Sequence, residues 1–153
     1  MKTAPPCLDT NQAYREQAQI LMQKMGVAFS PENRRFVISA QIYLMLAGLG
    51  LVVDGSLLSD GASRPAFLHL FTLGFMLFMI YGLGAHMLPR FTGNPLAENR
   101  WSSLQMGLAH SGVLAYASGY FAGWPMLALG GAILAWMALL IFSVRVWPVL
   151  WPR

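Results

Sequence analysis

Four apolar runs of near-membrane length, at about residues 35–53, 66–88, 101–121 and 126–146, constrain this chain more than any other feature. Each approaches the roughly 20 residues that carry a helix across a hydrocarbon core. Lipid offers no partner for backbone N–H and C=O groups, so such runs must be helical. Only 10% of the 153 residues are charged, against about 25% in soluble domains. The expected fold is all-α: a four-transmembrane-helix bundle whose first partner is the lipid bilayer. The formal charge of +4 does not imply nucleic acid. The basic residues are spread along the flanks of the runs, where a membrane protein needs them. The single cysteine, Cys7, excludes an internal disulfide and any multi-cysteine metal site.

Lys and Arg set the expected orientation. With the N-terminus inside, Lys2, Arg15, Lys24, Arg34, Arg35, Arg90, Arg100, Arg145 and Arg153 share the cytoplasmic side, and Arg64 stands alone outside. Nine against one predicts both termini in the cytoplasm (N-in/C-in) of a bacterial-type inner, or plasma, membrane. Trp101, Trp124, Trp147 and Trp151 fall at span ends, as interfacial tryptophans do. Residues 1–30 hold no compact apolar region of the signal-peptide kind, so the first span is expected to direct insertion. Within them Tyr14, Ala18, Leu21 and Met25 recur at helical spacing and Gly26 can end the segment. This predicts two domains: a cytoplasmic amphipathic segment at 1–30 and a transmembrane domain at 31–153.

The three histidines, His69, His86 and His110, all lie in or at the edge of the runs. A histidine inside a bilayer is costly, so a functional role is its default reading. His69 sits about one turn inside the outer end of the second run, and His110 near the middle of the third. His86 lies at the inner end of the second, beside Pro89 and Arg90. His69 and His86 are about 25 Å apart along one helix, at 1.5 Å per residue, too far to share one iron. His69 suits an axial heme ligand or a copper ligand. His110, in the pattern GLAHSG, divides between ligand and helix packing, and His86 fits an interfacial histidine with metal binding as its alternative. Gly74 and Gly82 leave room for a flat cofactor or a close helix. Methionines such as Met76, Met79, Met87 and Met106 offer thioethers, though in apolar helices they mostly fill space. Gln41 is the long polar side chain of the first run. It is expected to bond across helices or to a cofactor. No phosphate-binding glycine loop and no nucleophile–base pair is present.

The segment HLFTLGFMLFMIYGLGAHMLPRFTGNPL resembles the catalytic subunit (subunit I) family of heme–copper oxidases. The likeness rests on His69 near the outer face, the glycine-bearing helix behind it, and the exit Leu88-Pro89-Arg90-Phe91-Thr92-Gly93. It also resembles nitric-oxide-response membrane proteins of the NnrS type, whose spans combine histidines with a proline–aromatic–Thr-Gly exit. The oxidase resemblance implies a membrane b-type cytochrome equivalent to one four-helix arc of that core. It would bind heme b non-covalently at His69, since no Cys-x-x-Cys-His is present. Electron transfer or binding of O2 or NO would be its role. The family's paired copper-site histidines are missing. Oxidoreductase activity of the oxidase or NO-reductase type would therefore need an oligomer, by analogy a homotrimer of arcs, or a redox partner such as quinol or cytochrome c. Two other readings stand beside it: a cofactor-free structural or assembly subunit of a respiratory complex, and a copper-handling membrane protein.

Overall fold

Three of the four long helices begin at or beside a proline, whose fixed φ suits a first turn that needs no N–H donor. In the computed structural model, which describes residues 14–17, 21, 29–55, 63–96 and 100–151, helix α1 runs Pro31–Val53 and α2 runs Arg64–Thr92. Helix α3 is Arg100–Phe121 and α4 is Pro125–Leu150. The chain divides into two compact units, Met1–Ser30 and Pro31–Arg153. In the first, residues 14–17 and Leu21 are helical and exposed; the rest of the expected amphipathic helix lies outside the described residues.

Helix α2 passes the exit expected at Pro89 and continues to Thr92. A proline inside a helix removes one backbone bond. Here the Thr92 hydroxyl donates to the Leu88 carbonyl at 3.0 Å, and Gly93 closes the helix in the left-handed region at φ 74°. Asn94 then donates from Nδ2 to the Val149 carbonyl at 3.2 Å, tying the end of α2 to the end of α4. The Thr-Gly-Asn exit is therefore a helix stop and a clamp. At the other end, α3 closes with two bonds, Trp124 N–H to the Gly119 carbonyl at 2.8 Å and Gly123 N–H to the Tyr120 carbonyl at 3.2 Å. Gly123 sits at φ 67°. This is a Schellman stop, and Pro125 at once starts α4. Gly123-Trp124-Pro125 thus makes the tight turn between α3 and α4.

The helices alternate up and down. Gly82 of α2 lies against Asn33 at the start of α1, and Gly50 near the end of α1 against Phe67 at the start of α2. Gly119 meets Ala128 across the α3–α4 turn. One end of the bundle therefore gathers Arg34, Arg35, Arg90, Arg100 and Arg145, and the other holds Arg64. The core is aromatic. Phe36, Phe78 and Tyr81 are fully buried, with ring centroids 5.6 to 6.1 Å apart, and Tyr43 packs its edge on Phe78 at 5.3 Å.

Helices α1, α2 and α4 are long and apolar enough to cross a membrane. Helix α3 has the length, 22 residues, but Ser102, Ser103, Gln105, His110, Ser111 and Ser118 keep it less apolar than the other three. Ser111 and Ser118 return their hydroxyls to the carbonyls of Gly107 and Leu114, both at 2.7 Å, which hides that polarity inside the helix. Large apolar side chains stay uncovered on the outward faces: Met45 is 71% exposed, Val53 78% and Val144 73%. In water this would be an aggregating surface. In a bilayer it is the lipid-facing side of an integral membrane protein.

Candidate functional site: the histidines and their partners

His69 sits at the last residue of ordinary α-geometry before a π-helical stretch, Leu70–Met76, within α2. Its Nδ1 bonds the Pro65 carbonyl at 2.7 Å. A carbonyl only accepts, so Nδ1 carries the proton and Nε2 keeps the lone pair. That tautomer is the one a metal-ligating histidine uses when its other nitrogen is anchored. The half-buried ring stacks on Tyr116 of α3, centroids 4.6 Å apart and planes 30° apart. Thr72 bonds the His69 carbonyl at 3.4 Å, a helix-backbone role. π-Turns inside α-helices are rare and recur at functional sites. Here Gly74, inside the stretch, meets the Tyr43 ring so closely that an added Cβ would lie 2.6 Å from Tyr43 Cγ.

His110 has a different environment. Its Nε2 lies 3.1 Å from Ser39 Oγ and its Nδ1 2.7 Å from the Tyr43 hydroxyl, both on α1. A neutral imidazole has one N–H and one lone pair, so one hydroxyl donates to the ring and the other accepts. Phe78 packs edge-on at 4.8 Å. Both ring nitrogens are engaged, so ligation through either requires displacing Ser39 or Tyr43. Tyr116 lies six residues from His110, about 9 Å along α3, so His69 and His110 occupy different levels. His86 is buried on α2. Among the described residues no three His, Cys, Asp or Glu side chains gather as a metal cluster. Gly82 faces Val37, Phe36 and the Asn33 carbonyl, so its missing side chain admits α1.

Removing the Tyr43 hydroxyl measures this network. Interhelical hydrogen bonds in membrane proteins average about 0.6 kcal/mol and reach roughly 1.7, and a buried nitrogen left unpaired lies toward the upper value. Tyr43→Phe is expected to lower Tm by about 3 °C, at about 2–4 °C per kcal/mol for a chain of this size, read by thermal melting in detergent. An unchanged Tm would show that the bond contributes nothing.

A second polar cluster joins α3 and α4. Arg145 donates from Nη1 to Gln105 Oε1 at 2.7 Å, and Gln105 is fully buried. Gln41, the polar residue singled out in the first run, donates from Nε2 across to the Met79 thioether of α2 at 4.0 Å. Sequence reading missed Ser39, Tyr43, Tyr116 and Gln105. Ser39 and Tyr43 are spaced i, i+4 on one face, and Gln105 interrupts an apolar run. These were the available signals, but neither names its partner.

The NnrS protein family model matches residues 29–153, which covers the whole bundle. The chain belongs to the NnrS protein family. The matched range includes the exit Pro89, Phe91, Thr92 and Gly93. It lends no support to the heme–copper oxidase resemblance. No curated protein and no solved structure matches the chain. For this NnrS member, the histidine geometry must therefore be read from its own residues.

Proposed function

We propose that this NnrS-family chain is a four-span membrane heme protein that binds a diatomic gas, with His69 as its axial ligand. The reading rests on one observation. His69 combines a carbonyl-anchored Nδ1, a lone pair on Nε2 and a half-open position at the end of an apolar span. These residues fit a heme iron: the donor is a neutral imidazole nitrogen with its tautomer set, beside an aromatic ring that can border a porphyrin. Heme would supply the gas-binding iron, and the chain would supply the ligand, its orientation and an apolar wall. Nitric oxide is the gas that the NnrS resemblance implies, with O2 as the alternative, and heme b the type implied by the missing Cys-x-x-Cys-His. A pyridine hemochrome spectrum with metal analysis on purified protein tests this. One b-type heme per chain is expected. Copper without porphyrin, or neither, overturns it.

A cofactor-free assembly subunit is the second reading, favoured by the closed Ser39–His110–Tyr43 network, which uses a histidine purely to join helices. The same spectrum separates the two. Electron transfer with quinol or cytochrome c, and assembly as a homotrimer that mimics three oxidase arcs, are carried by the oxidase analogy alone. Native mass spectrometry reads the copy number as a multiple of 16.9 kDa.

The proposed topology takes α3 as the fourth span, with both termini cytoplasmic and domains at 1–30 and 31–153. Five arginines at one end of the bundle against Arg64 at the other support it. A cysteine placed at Ser59 is expected to label from outside with an impermeant maleimide. Labelling only after the membrane is opened would reverse the orientation.

A further inference from the structure

The arginine-rich end of the bundle holds a cavity of about 600 Å³ between α4 and the start of α3. Leu140 and Val144 line it on the midplane side of Arg145 along α4, and Trp101 and Pro148 line it toward the end of the bundle. Arg145 is the charged side chain among its lining residues. Nη1 of Arg145 is used by Gln105, but the buried Arg145 Nε and the buried Gln105 Nε2 have no hydrogen-bond partner among the described residues. Two donors in an apolar setting without an acceptor are a costly arrangement. Glu32, in the first turn of α1, interacts with Arg145 electrostatically, yet it takes no hydrogen bond from Nε.

The depth of the cavity identifies what the bilayer can place there. Arg145 precedes Trp147 by two residues, about 3 Å along the axis. Trp101, Trp147 and Trp151 are 54%, 68% and 74% exposed at this end of the bundle. Exposed tryptophans mark the boundary between acyl chains and headgroups. Arg145 therefore stands at the level where a lipid changes from apolar to anionic. The cavity's apolar lining suits an acyl chain, and Arg145, the cation in that lining, suits phosphate oxygens, which Arg recognises well. Arg34, Arg35, Arg90 and Arg100 at the same end favour a negative head over a neutral one.

We propose that this cavity is a binding site for one anionic phospholipid, its phosphodiester accepting from Arg145 and one acyl chain lying along Leu140 and Val144. The site is independent of the heme reading, since it shares no residue with His69. The test uses full-length protein in nanodiscs of equal parts phosphatidylglycerol and phosphatidylcholine, released into mild detergent and read by native mass spectrometry. One retained phosphatidylglycerol per chain is expected, preferred about fivefold, the factor that one basic side chain supplies at an anionic surface. Arg145→Gln should abolish the preference. Val144→Trp should fill the cavity and reduce retention of both lipids while leaving the Arg145–Gln105 bond intact. Should Arg145→Gln fail to fold, Val144→Trp alone decides. Equal retention of the two lipids by the wild-type protein would overturn the proposal. So would lipid retention unchanged in Val144→Trp, or a neutral quinone or a second copy of the chain found in the cavity.

Discussion

His69→Ala is expected to abolish the Soret band of the purified protein while all the helices remain inserted. The chemistry is local. The Pro65 carbonyl holds the proton on Nδ1, so Nε2 is a ready donor, and alanine removes it. The fold should survive. The ring is half-buried, its stacking partner Tyr116 stays in place, and alanine is the best helix former. Far-UV circular dichroism should therefore remain helical while the absorbance near the Soret region falls to baseline. His110→Ala should give the opposite pair of results. Heme absorbance is kept, and Tm falls because Ser39 and Tyr43 lose their shared partner. Should His110→Ala remove heme and His69→Ala spare it, the ligand assignment would move to α3, with Ser39 and Tyr43 released from the ring on binding.

The second large effect concerns the α3–α4 hairpin. Gly131→Leu is expected to prevent stable accumulation of the protein. A Cβ at Gly131 would collide with the Tyr116 backbone nitrogen and the Gly112 carbonyl. A Cβ at Gly112 would in turn lie 2.6 Å from the Ala135 backbone nitrogen. Backbone cannot step aside as a side-chain tip does, so the two helices would have to separate. Overpacking a well-packed interface costs about 1–3 kcal/mol, occasionally more. A clash with backbone belongs at the upper end, a Tm loss of roughly 10 °C at about 2–4 °C per kcal/mol. Separation would also strand Gln105 from Arg145. Gly130→Ala is the control, since an added Cβ there meets nothing within 4 Å. Equal Tm values for Gly131→Leu and wild type would show that the close approach is not what holds the hairpin.

Membrane character, all-helical class and the approximate positions of the helices were legible in the sequence, and each for a physical reason. Apolar run length is a one-dimensional quantity that maps directly onto bilayer thickness. Proline at a helix entrance and glycine after its end act within a few residues, so Pro31, Pro125 and Gly123 could be read without knowing any partner. Pro89 misled because a proline stop is only local. The Thr92 hydroxyl bond to Leu88 and the left-handed Gly93 carried the helix one turn further. His69 was legible as a candidate because its cost depends only on depth in the span.

What the sequence could not determine is which side chains meet. Ser39 and Tyr43 become partners of His110 only because α1 and α3 lie side by side at that level. Arg145 reads as one more flanking charge until α4 packs on α3 and turns it onto Gln105. Gly74 and Gly82 read as room for a cofactor or a close helix, and in the folded bundle Tyr43 and α1 stand there. Period and composition specify the face that a residue occupies. Only the packing of one helix on another decides what stands opposite, because a contact between residues 71 positions apart, as in Ser39 and His110, leaves no local trace in the chain.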